Sequence, residues 1–405
     1  MKGEYNVAGS SHRNWQRAIC CLLALAASSV LRAQAPPIYR VDPFWPKPLP
    51  NKWTMQQIVD LFVDKNDHIW AINRSRDARP DELGAATMPP RAECCVLGPE
   101  ILEFDSDGTV LKGWGGPAYV PGWPVRLQSM EVDSKGNVWI SGTDLGDSII
   151  KFSSDGKLLW DFGHRWPKEQ QFKQDNQQTA VLPGIEDFDL DEADREIYIT
   201  DGSRNKRVLV YDMDTGAFKR GWGGHGVPLR EIDNDPTPPY DISGPPPNQK
   251  QFAPALHCIH ISKDGLVYVC ERGSDRIQVF TKPGKFVTSY FVHPSTQARG
   301  SNCGGPFSKY PPCGTVYNLT FSHDPQQKYL LVADGTNNMV WVLNRKDGTV
   351  VESFGGNGHY AGNLHWIDTI GMDSKGNVYT GEVEDGKRIQ KFIFTNENGR
   401  TPRRP

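Results

Sequence analysis

The sequence predicts an all-β fold: a six-bladed β-propeller with four-stranded blades. Three observations lead there: a strand–turn–strand unit recurs six times, no unit has a helical period, and Gly-rich strings close several units. Second strands read HIWAI from His68, NVWIS from Asn137, EIYIT from Glu196, LVYVC from Leu266, YLLVA from Tyr329 and NVYTG from Asn377. Their β-branched and aromatic residues suit a half-buried pleated surface. Third strands follow as ILEFD, IIKFS, VLVYD, IQVFT, VWVLN and IQKFI. The closing turns are GWGG at Gly113, DFGH at Asp161, GWGG at Gly221 and SFGG at Ser353. None of them opens a helix, so they are not phosphate loops.

The units are spaced roughly 50–70 residues apart, against the ~40–50 of a typical propeller blade. The excess lies in Pro- and Gly-rich insertions at 76–98, 164–183, 225–253 and 292–313, each expected as a surface loop. The last unit lacks an outer strand, because FIFTNENGRTPRRP follows its third strand directly. The segment IYRVDPFWP has no blade of its own. It is expected to supply that strand and close the ring, leaving no exposed edge.

A formal charge of −3 over 405 residues gives no electrostatic footprint for nucleic acid. Lys2, Arg13 and Arg17 precede the apolar run AICCLLALAASSVL, which is short for a membrane span and ends near Ala33 and Ala35. This reads as a signal peptide over 1–35, with the propeller over 36–400 and a periplasmic or extracellular location. No later segment could span a membrane. Export leaves Cys94, Cys95, Cys258, Cys270, Cys303 and Cys313, an even set in an oxidising compartment, so disulfides are expected. The turn ISKDGL, with Gly265 left-handed, sets Ser262 opposite Leu266, His260 opposite Tyr268 and Cys258 opposite Cys270. By elimination Cys303 pairs with Cys313, leaving Cys94 and Cys95 as an adjacent pair. There is no GxSxG elbow, HExxH, P-loop or dinucleotide fingerprint.

Four stretches are more specific: VDPFWPKPLPNKW, GPEILEFDSDGTVLKGWGG, TDGSRNKRVLVYD and HCIHISKDGLVYVCERGSDRIQVF. Through them, from about Tyr39 to Phe394, the chain resembles the NHL-repeat propellers of the peptidyl-α-hydroxyglycine α-amidating lyase (peptidylamidoglycolate lyase) family, especially secreted bacterial relatives. The resemblance implies cleavage of a C–N bond, releasing a peptide amide and glyoxylate. It further implies a zinc held by three histidines, a tyrosine base and arginines that grip substrate.

First strands of a propeller line its axis, so equivalent positions form a ring. Counting five residues back from each first turn gives Gln128, His257 and Asp368 on alternate blades, where the family places its zinc ligands. His257 keeps the family residue; Gln128 and Asp368 replace the other two, with His365 three residues before Asp368. A divalent metal is expected there, zinc by resemblance or calcium as the harder ion. Arg74 and Arg272 match the substrate-gripping arginines, whose forks suit a carboxylate. Ser203 stands where the family has its tyrosine base, so the proton would fall to Tyr317 or Glu186 at the ring positions of blades five and three. Two readings follow: a lyase-type enzyme for a small anionic or peptide-derived ligand, or a non-catalytic propeller that binds a protein partner.

Overall fold

Aspartates at the first turn of several blades tie the hairpin to the core beneath it. Asp133 accepts from the N–H groups of Lys135 and Asn137 at 3.0 and 2.9 Å; Asp373 does the same for Lys375 and Asn377 at 3.0 and 2.8 Å. Gly136 and Gly376 take the positive φ these turns need, +79° and +81°. The same carboxylates reach on to the Trp139 indole and the Tyr379 hydroxyl, each at 3.1 Å.

A computed structural model describes residues 36–167, 169–235, 251–253, 255–297 and 313–395, with Met1 and Gly3. The expected signal peptide and Cys303 lie outside these residues. The chain separates between Pro36 and Pro37, and the fold belongs to the second part. Six four-stranded antiparallel sheets follow one another. Blade one holds Gln57–Val63, Ile69–Arg74, Ile101–Phe104 and Val110–Trp114. Blade two holds Leu127–Val132, Val138–Gly142, Ile150–Phe152 and Leu158–Asp161. Blade three holds Ile185–Asp191, Glu196–Asp201, Arg207–Asp212 and Phe218–Trp222. Blade four holds Leu256–Ile261, Leu266–Glu271, Arg276–Thr281 and Phe286–Phe291. Blade five holds Asn318–Phe321, Tyr329–Asp334, Met339–Asn344 and Val350–Gly355. Blade six holds Ile367–Met372, Val378–Glu382 and Ile389–Thr395. Ile38–Asp42 runs antiparallel to Ile389–Thr395 as the outer strand of this last sheet, with Tyr39 opposite Phe394.

Hydrophobic burial sits between blades. Trp70 and Trp114 of blade one meet Phe152 of blade two, and Trp139 meets Phe188 and Tyr211 across the next interface. Tyr198 and Trp222 pack on Phe280, and Tyr268 lies among Leu330 and Leu343. Leu331 and Val342 cover Phe392, and Tyr379 of blade six packs with Phe104 of blade one. Trimming one such aromatic to alanine costs about 3–5 kcal/mol, because the rigid blades cannot collapse into the void.

A circuit of hydrogen bonds joins every neighbouring pair of blades at the axis. Asp60 accepts from the Met130 N–H at 2.8 Å, Ser129 donates to Asp187, and Asp187 accepts from the Ile259 N–H at 2.9 Å. His260 Nε2 donates to Asn318 Oδ1 at 2.7 Å, Asn318 to Thr369 at 3.3 Å, and Thr369 to Asp60 at 2.8 Å.

The first insertion departs from the expected plain loop. It contains the turns Ser75–Asp77 and Pro80–Glu82, the short helix Leu83–Ala86, and the strand Val96–Leu97, which pairs in parallel with Trp53–Thr54. Backbone groups at the end of the insertion need partners on the blade, and Gly98 N–H donates to Thr54 O at 3.1 Å. The buried Asn73 side chain accepts from Gln56 N–H at 2.7 Å and donates to Pro99 O at 2.9 Å. GWGG at Gly113 also begins inside the fourth strand; Trp114 is buried, and the turn starts at Gly115 and Gly116.

Candidate active site

A β-bulge aims the ring residues. Strand pairing slips between Ile58 and Asp60, Leu127 and Met130, Ile185 and Asp187, Leu256 and Cys258, and Ile367 and Thr369. The unpaired residues are Val59, Gln128 with Ser129, Glu186, His257 and Asp368. A bulge re-aims its side chain away from simple alternation. Gln128, Glu186, His257 and Asp368 are thereby buried at the axis, each no more than 9% exposed.

His257 and Asp368 meet, Nε2 to Oδ1, at 3.6 Å. His257 Nδ1 lies 2.8 Å from the Tyr317 carbonyl oxygen, which can only accept. The ring proton is therefore on Nδ1, and Nε2 turns a lone pair towards Asp368. Burial, and next the Arg272 charge, push the His257 pKa down to about 3, so the ring is neutral. Burial pushes Asp368 up to about 7, against the pull of Arg74 and Arg272.

Arg74 ends the second strand of blade one and is 6% exposed. Its Nε donates to Leu127 O at 2.5 Å and its Nη2 to Gln128 Oε1. Burial, and next Arg126, lower its pKa to about 10, still fully charged at neutral pH. Arg272 lies half-buried, with its guanidinium 4.7 Å above the Tyr317 ring. Among the described residues no carboxylate oxygen comes within ion-pair distance of it. Gly314 makes room: a Cβ there would meet the Arg272 carbonyl at 1.8 Å.

Glu186 is raised by burial, opposed by Arg272, by a hydrogen bond from Ser203 and by Arg74. Ser203 thus faces the site, though as a partner of Glu186. Tyr317 is fully buried and packs on His257 at 5.3 Å between ring centres. Its hydroxyl accepts from the Cys313 N–H at 3.3 Å, and burial raises its pKa, so it serves as a platform rather than a ready phenolate. His365 stands apart: its ring stacks on His359 at 5.0 Å, and the charges acting on it are His359, Asp385, Glu382 and Arg388.

These residues suit a three-ligand metal poorly. Gln128 Oε1 is taken by Arg74, two guanidinium groups stand close by, and among the described residues no third His, Cys, Asp or Glu donor gathers with His257 and Asp368. Asp64, His68 and Glu103 do cluster, on blade one off the axis, but their atoms are engaged with one another, with Trp70 and with Lys112.

Cys258 and Cys270 are disulfide-bonded and directly opposite, with Cα atoms 4.7 Å apart, flanked by His257 and Arg272. The turn has the expected register: Ser262 N–H to Leu266 O at 2.8 Å and Gly265 at φ +78°. Cys94 and Cys95 also form a disulfide.

Sequence reasoning missed the layer beneath this ring. Asp60, Asp187, Asp189, Glu131 and His260 lie along the same first strands and reach the axis. Charged residues inside strands otherwise reading as buried were the available signal.

No family model matches the chain, and no curated protein matches it. Among solved structures the chain is similar to a catalytically inactive virginiamycin B lyase from Staphylococcus aureus with quinupristin, at 11% identity and a TM-score of 0.44, over 88% of this chain and 89% of that one. It is similar also to a streptogramin B lyase, at 13% identity and a TM-score of 0.43, over 83% of this chain and 78% of that one.

Proposed function

We propose that this propeller is exported and acts as a carbon–nitrogen lyase of the amidating type on a small carboxylate-bearing substrate held at the arginine end of its axis. The observation that carries the reading is the meeting of Arg74, Arg272, His257 and Asp368 in one buried place. Arg272, free of any carboxylate partner among the described residues, takes the substrate carboxylate, and Arg74 completes the positive field. Asp368, poised near neutral pH, is the better general base, because a His257 pKa near 3 makes a weak one. Acting on an α-hydroxyglycine, Asp368 accepts the hydroxyl proton while the carbonyl of glyoxylate forms and the C–N bond breaks. The proton then passes to the departing amide nitrogen.

The zinc implied by the resemblance has no step in this reading; bound zinc at one per chain in the purified protein would reinstate it. The non-catalytic alternative is favoured by Gln128 and Ser203, which stand where the family has a ligand and a base. One experiment separates them: glyoxylate release from a peptidyl-α-hydroxyglycine, beside calorimetric binding of a small carboxylate. Release that Asp368→Asn abolishes supports the lyase. Binding without release leaves a binding module, and neither overturns both.

A further inference from the structure

Beyond the ring, the first strands line a cavity of about 320 Å³. Among the described residues it holds Asp60, Glu131, Asp133, Asp187, Asp189 and Glu192, with His260 as the sole basic side chain and no lysine or arginine. Most of these acids are satisfied. Asp60 and Asp187 accept from backbone and hydroxyl groups of the axial circuit, and Asp189 accepts from the Ile261 N–H at 2.6 Å. Glu131 is not. It is 8% exposed, lines the cavity, and meets no hydrogen-bond donor or cation among the described residues. Half-buried Phe62, Ile261, Phe321 and Met372 form the apolar part of the wall.

We propose that this cavity binds a small organic ammonium ion, a primary amine carrying a short apolar chain, with Glu131 as its counter-ion. An ammonium group offers three donors to carboxylates dispersed around a cavity, whereas a divalent metal needs them convergent. Among the described residues no three acidic or histidine donors converge here, and the apolar wall has a use only if the cation carries a hydrocarbon part. Burial, and next repulsion from Asp189, raise Glu131 well above the carboxylate range, so a bound cation would replace a proton there.

The test is calorimetry on the purified protein at neutral pH with n-hexylammonium, 1-hexanol, hexanoate and calcium chloride. Hexylammonium should bind at least tenfold tighter than hexanol, Glu131→Gln should weaken hexylammonium at least tenfold, and any hexanoate bound at the arginine end should be unaffected by Glu131→Gln. Equal affinity for hexanol, an unchanged affinity in Glu131→Gln, or binding of calcium without binding of hexylammonium would each overturn the proposal. The comparison of ammonium with alcohol needs no variant, so a folding defect in Glu131→Gln leaves the test intact.

Discussion

The two ends of the axis are built from the same six first strands, yet they carry opposite chemistry. At the ring level, Glu186 and Asp368 are opposed by Arg74 and Arg272, and His257 completes the group. Three residues further along, roughly 7–10 Å at the rise of a strand, Glu131 and Asp189 share a cavity with His260 and, among the described residues, no arginine. Arg74 ends the second strand of blade one and Arg272 directly follows the second strand of blade four, so both charges arrive at the ring level. A propeller thus sets the charge of each end by which strand termini arrive there, while the circuit between them holds the blades together.

Four experiments can break or sharpen that comparison. Asp368→Asn should have the largest effect, lowering turnover about 10²–10⁴-fold while amine binding at the acidic end is unchanged; equal loss at both ends would show that they are not separate. Replacing Cys258 and Cys270 together by serine should cost on the order of 3 kcal/mol in denaturant unfolding, since the closed loop is short. It should also weaken anion binding beside His257 and Arg272 more than amine binding. Arg272→Ala should weaken a small carboxylate by about 2–3 kcal/mol in calorimetry, the worth of a charged hydrogen bond. An unchanged affinity would move the anion elsewhere.

The smallest effect expected is on pH dependence of the melting temperature. Asp60, Asp187 and Asp368 are pushed up to about 7, chiefly by burial, and burial likewise pushes Glu131 well above the ordinary carboxylate range. Carboxylates with raised folded values bind protons in the native state first, so stability should rise as pH falls from 8 towards 5.5. His257, pushed down to about 3, acts in the opposite sense below about pH 6.5, because the unfolded chain takes up its proton first. The acids outnumber it, so a gain of a few degrees should precede the acid loss. Glu131→Gln should flatten the rise; an unaltered profile would show that Glu131 carries no share of it.

Much of the scaffold was legible because its determinants are local. Alternation within strands, the Asp–Gly turns and the ISKDGL hairpin each depend on residues a few positions apart, and the Cys258–Cys270 register follows from counting outwards. The ring positions could be counted too, which placed Gln128, His257 and Asp368 together. His365 illustrates the limit: three positions from Asp368, it turns to His359 instead of the axis.

By itself, then, the sequence determined the six-blade repeat, the strand order within each blade and the hairpin disulfide, since hydrogen-bonded turns and a two-residue period act at short range. Tertiary structure decided what the axis can do. The contact of His257 with Asp368, the capture of Gln128 by Arg74, and the carboxyl pKa values near 7 arise between strands far apart in the chain. Electrostatics in a buried place depends on distances between such strands and on the water excluded from them, and neither is written in the spacing of residues along one strand.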